Sequence, residues 1–243
     1  MTELCDIIHA AAVNHTPDPK DYACQYCGKR YRRESTLAAH LCERKRRAQQ
    51  EHERGVVLGY TAYLKFYEQS QGSAKYKTYQ DFSESPYYGA FVKFGRHMTN
   101  IRAIRTDLFI EWILRANKRL DHWCRDEYYQ EYLYNHLRTE HVQDALERTI
   151  KNMTEWAESR EHEFMDYFRQ VNSNRLVQDI TTGRTSAWVV FNCASARDRL
   201  DTLNAEQIEL IIPYVDPDFW KRKFQDHFAD TEWVKHILEQ AGL

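Results

Sequence analysis

The sequence predicts a mainly α-helical protein, a small ββα-like head followed by an all-α body, and three observations carry that prediction. Glycine and proline number only 8 and 5 among 243 residues, too few to punctuate a turn-rich β architecture. From residue 57 onward, apolar side chains recur at helical spacing in segment after segment. The one close pair of cysteines, Cys24 and Cys27, stands near the front, ahead of that rhythm.

A hydrophobic share of 42% and an aromatic share of 14% allow a real core and rule out a solvated linker. No apolar run approaches the ~18 residues of a membrane span, and Met1 to Ala12 is too short and too acidic for a secretory signal. A cytoplasmic protein is expected, in the host cytoplasm if viral, with no membrane partner. In that compartment the six cysteines are expected as thiols or metal ligands rather than disulfides. The formal charge of −2 is unevenly spread: Cys24 to Arg47 carries eight basic residues against two acidic ones, so the remainder is acidic.

In the head, Tyr22, Cys24, Cys27, Tyr31, Leu37 and His40 fall at the intervals at which two thiolates on a tight turn face a helix bearing an imidazole. Gly28 suits the turn, and Glu34, Ser35 or Thr36 opens the helix that carries Leu37 and His40. This stretch resembles the two-Cys two-His zinc finger family over about 25 residues, and its spacing predicts a zinc site. The departure is the last ligand, because only Leu41 separates His40 from Cys42. Two residues apart on a helix point about 200° away from each other, so His40 and Cys42 can share a metal only if the helix stops near Leu41. The expected ligands are Cys24, Cys27, His40 and Cys42, with His52, Cys5 and His9 as alternatives for the fourth.

Two cationic clusters bracket this unit: Lys29, Arg30, Arg32 and Arg33 before the helix, and Arg44, Lys45, Arg46 and Arg47 after the last ligand. Guanidinium groups hold phosphate oxygens bidentately and release counterions, so these eight residues are the candidate nucleic-acid contacts. The base-reading positions of such a helix would hold Arg33, Glu34, Thr36 and Ala39, which form no specific code. DNA bound with weak sequence specificity is therefore the expected partner.

The domain reading is an extension at 1–20, the finger with its basic flanks at 21–47, a linker at 48–56, and an all-α body at 57–243. A break between two subdomains, if the body has one, falls near 172–184. Leu58 to Tyr67 and the segment after Pro86 are rich in aromatics that read as core, with base stacking as their alternative use. A helix is expected from Thr106 as cap, then two long ones over 120–141 and 143–171. In the last quarter Ser195, Asn204 with Gln207, Asp216 with Pro217, and Asp230 read as openings of short helices. The expected core there is Trp188, Phe191, Leu200, Leu203, Ile208, Ile211, Phe219, Trp220 and Trp233, with Gly183 at the turn where two helical layers meet. Asp121, His122, Cys124, Asp126 and Glu127 lack the two-turn ligand repeat of a hydrolytic metal site. They read as surface, Cys193 reads as a buried thiol, and no enzyme and no small-molecule substrate are expected.

FIEWILRANKRLDHWCRDEYYQEYL, and VNSNRLVQDITTGRTSAWVVF ahead of LDTLNAEQIELI, resemble the helical body of the helicase loading proteins of T-even-type tailed phages. That resemblance implies a phage setting and an all-α body that binds forked DNA and recruits a replicative helicase; it assigns no residue roles. The expected function is a non-enzymatic, phage-encoded accessory factor. It grips the DNA backbone with the basic finger and a replication or transcription protein with the body. Two alternatives are an assembly factor whose zinc finger is purely structural, and a helicase-loader-like fork-binding protein.

Overall fold

A computed structural model describes residues 22–72 and 76–243. The 1–20 extension, with Cys5 and His9, and residues 21 and 73–75 lie outside the described residues. The fold is mainly α with a small two-stranded sheet at the front. Strands β1 (Tyr22–Ala23) and β2 (Arg30–Tyr31) pair antiparallel, Tyr22 opposite Tyr31 and Ala23 opposite Arg30. Helix α1 (Glu34–Ala38) packs on both strands to close the head.

Helix α2 (Glu43–Gln49) leaves the head and packs on α4 (Tyr79–Glu84), so most of the stretch after the last ligand is docked helix. The first helical layer contains α3 (Arg54–Gln71), α4, α5 (Tyr88–Asn100), α6 (Thr106–Arg115), a 3-10 turn at Leu120–His122, and α7 (Asp126–Thr139). A second layer follows: α8 (Val142–Glu158), a 3-10 turn at Phe164–Asp166, α9 (Tyr167–Gln170), α10 (Ser173–Thr181), α11 (Ala187–Asn192) and α12 (Ala194–Leu200). It ends with α13 (Ala205–Ile211), α14 (Pro217–Asp226) and α15 (Phe228–Gln240).

The caps explain several boundaries. Thr78 and Asp81 form a reciprocal capping box on α4, as Asn204 and Gln207 do on α13, and the Asp216 carboxylate receives two amides at the start of α14 just ahead of Pro217. Other boundaries differ from expectation. The helix expected over 143–171 breaks after Glu158, where Glu161 takes a left-handed φ of 57°. The one expected over 120–141 begins only at Asp126. Helix α12 starts at Ala194, ahead of Ser195, and α15 at Phe228, ahead of Asp230.

Buried side chains fall into two clusters. The first runs from Val56 to Leu137 and is aromatic, with Tyr63, Phe82, Phe91, Phe94, Phe109 and Trp123 sealed from solvent. These rings meet edge-on or tilted, as Phe91 and Phe94 do on Trp123, which identifies them as packing. The second cluster runs from Val142 to Leu238 around Trp188, Trp220 and Tyr167. Ile211 is buried in it, and Phe191, Leu200, Leu203, Phe219 and Trp233 pack against it. Ile208 does not: it lies with Leu210 and Ile212 among the exposed apolar residues, at the margin of the face by which α13 buries Ile211. The layers meet at Gly183 (φ 77°), where a Cβ would come within 2.8 Å of Leu133 and Ile104 side-chain carbons of the first cluster. Tyr214 packs against both clusters.

Helices α3 and α5 touch backbone to backbone. A Cβ on Gly95 would lie 2.0 Å from the Gly55 carbonyl oxygen, and one on Gly59 2.6 Å from the Phe91 carbonyl oxygen. Glycine is required there for close approach.

Candidate metal centre

The centre is built by two turns. Cys24 follows β1; its amide donates to the Lys29 carbonyl (2.9 Å), and its own carbonyl accepts from the Gly28 amide (2.8 Å). Gly28 makes that turn with a φ of 72°. The turn aims backbone N–H groups at the first sulfur, so hydrogen bonds from Cys27 and Tyr26 hold the Cys24 thiol below its ordinary range. Cys27 moves the other way. The Lys29 amide pulls its thiol down, but desolvation and the neighbouring sulfurs of Cys24 and Cys42 push it up more strongly. Three thiols this close cannot all ionise unless a cation neutralises them.

The second turn resolves the short His40 to Cys42 interval. Helix α1 ends at Ala38, with Ala39 as its C-cap, so the chain has left the helix before either ligand. Cys42 is extended (φ −96°, ψ 163°). In extended chain, residues two apart share a face and the one between points away. Leu41 is accordingly 64% exposed while both ligands are half-buried. Cys42 also caps α2, its sulfur receiving the Lys45 amide at 3.4 Å, so the sulfur sits at the amino-terminal end of a helix.

The four ligand atoms lie within 4.8 Å of one another, with Cys24 Sγ 4.0 Å from Cys42 Sγ and Cys27 Sγ 3.3 Å from His40 Nε2. A zinc tetrahedron, with Zn–S about 2.3 Å and Zn–N about 2.0 Å, has S···S edges of about 3.8 Å and S···N edges of about 3.5 Å. The cluster is therefore already of a size to hold a metal ion. It is the one such group of His, Cys, Asp and Glu side chains among the described residues. His52 is exposed and lines a different cavity, and His97 pairs with Asp126 at 3.1 Å, outside any such group.

Little else holds the head together. Cys24 is the one buried residue between Tyr22 and Gln49; Tyr31 and Leu37 are half-buried, and the Tyr31 ring lies 5.0 Å from that of His40. The core of this unit is its ligand set.

The two basic clusters have different fates. Lys29, Arg30, Arg32 and Arg33 are all exposed on the finger. Arg44 to Arg47 lie on α2 and are largely engaged. Lys45 Nζ donates to the His40 carbonyl (3.2 Å), Arg46 pairs with Glu43 (2.6 Å), and Arg44 reaches Glu84 at 3.9 Å. Arg47 is half-buried: it donates to the Ser83 carbonyl (2.6 Å) and stacks 4.3 Å from the Tyr88 ring centre, while Tyr79 donates to the Arg47 carbonyl (2.7 Å). Its guanidinium docks the head on the body, a role with no signal in the local sequence. Glu53 completes the junction by pairing bidentately with Arg96, both bonds 2.7 Å, which holds its carboxyl below the usual range.

No family model matches the chain, and no curated protein and no solved structure matches it either. No helix among the described residues is long and apolar enough to cross a membrane.

Proposed function

We propose that the chain binds one zinc ion through Cys24, Cys27, His40 and Cys42, and that the ordered finger places Lys29, Arg30, Arg32 and Arg33 against the phosphate backbone of DNA. It acts as a non-enzymatic accessory factor, phage-encoded, whose helical body holds a protein of the replication or transcription apparatus. Three thiolates and an imidazole are the donor set that zinc prefers, which supports the metal's identity. The observation that carries DNA binding is the exposure of Arg32 and Arg33, which have no carboxylate partner among the described residues. Such cations gain by counterion release on meeting phosphate.

Affinity for DNA should therefore fall steeply with salt, with a log–log slope of roughly −3 to −4 if four cations each neutralise a phosphate. Replacing Arg32 and Arg33 together with Glu should remove about two units of that slope. Gel retardation of single-stranded, duplex and forked DNA at two salt concentrations measures both. Absence of retardation even at low salt would reject the DNA reading. It would leave the second reading, which the Arg47 docking favours: a finger that fixes the front of a protein–protein assembly factor and touches no nucleic acid. Preference for the fork would support a loader-like role.

A further inference from the structure

Between the two cores lies a cavity of about 570 Å³, walled by α3 and α5 on one side and by α8 and the Gly183–Arg184 turn on the other. Its charged lining is Arg54, Arg102 and Arg184 against one carboxylate, Glu155, and its apolar lining includes Val57, Leu58 and Met98. The volume lies within the ~300–1,000 Å³ of small-ligand sites.

The arginines are placed with care. Arg102 and Arg184 both donate to the same oxygen of Glu155, at 3.2 and 2.5 Å, so a single acceptor serves two guanidiniums with five N–H groups each. Arg184 is further fixed by Asn152 Oδ1 at 2.9 Å and lies 3.8 Å from Asp179, whose other oxygen is taken by Arg175 and Tyr167. Arg54 is exposed, with no hydrogen-bond or ion-pair partner among the described residues. Donors outnumber acceptors. Burial and the neighbouring Arg184 and Arg175 charges outweigh Asp179 and Glu155 and hold the Arg102 guanidinium below its ordinary range.

The backbone shows the same bias. Arg102 (φ 53°) and Arg105 (φ 42°) are both left-handed, a conformation that favours glycine, and both bracket the loop that floors this cavity. That loop is pinned: Ile104 donates to the Tyr129 hydroxyl at 2.9 Å, and the Tyr132 hydroxyl donates to the Arg105 carbonyl at 3.2 Å. At Arg102 an arginine side chain is thus held at a strained position where glycine would fold more easily, whereas the Arg105 side chain pairs with Asp107 and Asp144 and does not line the cavity. A second groove, of about 410 Å³, shares Arg54, Glu155 and Arg184 but is closer to charge balance, adding Arg105, Arg148 and Lys151 together with Asp144 and Glu147.

We infer that this cleft binds a phosphate-bearing ligand of nucleotide size, its phosphate held by Arg54, Arg102 and Arg184 and its uncharged part laid on Val57, Leu58 and Met98. The inference is independent of DNA binding by the finger. A nucleoside monophosphate, free or as the 5′ end of a strand, has the required combination of dianion and flat apolar body.

Calorimetric titration of the full chain tests it with inorganic phosphate, a nucleoside monophosphate, the parent nucleoside, and a short 5′-phosphorylated oligonucleotide. The monophosphate should bind about tenfold or more tightly than either the nucleoside or inorganic phosphate. The phosphorylated strand binding tighter still would identify a strand end as the source, and equal affinity would identify free nucleotide. Arg54→Glu, which breaks no contact, and Arg102→Gly, which suits the backbone, should each weaken binding about tenfold or more with an unchanged or raised melting temperature. Arg32→Glu with Arg33→Glu should leave the monophosphate affinity intact, which separates this site from the finger. The inference is overturned if the monophosphate does not bind, if inorganic phosphate binds as tightly, if both cleft variants bind as the parent does, or if the finger variant alone abolishes binding.

Discussion

Cys24→Ser is expected to unfold residues 22–42 while the helical body remains folded. The argument is one of magnitudes. Ordering the backbone of about 20 residues costs roughly 1–2 kcal/mol each. Against that the head offers two short strands, five residues of α1, and the half-buried Tyr31 and Leu37, each worth at most about 3 kcal/mol. A structural zinc site supplies on the order of 10–16 kcal/mol, which makes the metal the deciding term. Serine keeps the size of the side chain but loses the thiolate, and Cys24 is the most enclosed of the four ligands. Unfolding should stop at α2, because Arg47, Tyr79 and Tyr88 tie that helix to the body independently of the metal. Limited proteolysis should therefore cut the variant first at Lys29 to Arg33, with nearly all of the far-ultraviolet helical signal retained. A chelator should reproduce the pattern in the parent chain. Resistance of the variant's head to protease would show that the ligand set is dispensable.

Gly95→Ala is expected to destabilise the body by about 3 kcal/mol, the upper part of the usual range for overpacking. On propensity alone the change should stabilise helix α5 by about 1 kcal/mol. The clash wins because the new carbon would lie 2.0 Å from the Gly55 carbonyl oxygen and 2.6 Å from the Gly59 amide nitrogen. Neither is a side chain that can rotate away, so α3 and α5 must separate, opening the aromatic core that contains Phe91, Phe94 and Trp123. A fall in melting temperature of roughly 6–12 °C follows for a domain of this size. An unchanged melting temperature would contradict the backbone contact.

Local features were legible in the sequence, and features assembled across long intervals were not. The ligand set could be read because thiol and imidazole spacing is fixed within some twenty residues, and the requirement that the helix stop before Cys42 follows from helix geometry alone. The Asn204–Gln207 capping box and most of the core on α11 and α14 were readable for the same reason. Ile208 was misread because periodicity puts Ile208 and Ile211 on neighbouring positions of one helix face, and only packing against the second core shows that burial reaches Ile211 and stops short of Ile208. Arg47 looked like part of a phosphate-binding run, and nothing near it in the chain signals Ser83 or Tyr88. The glycine contacts between α3 and α5 join positions 55, 59 and 95; the hint available was the recurrence of glycine inside otherwise helical rhythm. The cleft draws Arg54, Arg102 and Arg184 from three distant segments, so no window of sequence contains it.

Native mass spectrometry of the chain purified without added chelator addresses the metal-stapled head most directly. One zinc ion per chain is predicted, lost on chelation together with protection of the front segment. A metal-free chain whose residues 22–42 resist proteolysis as well as the body does would contradict the account.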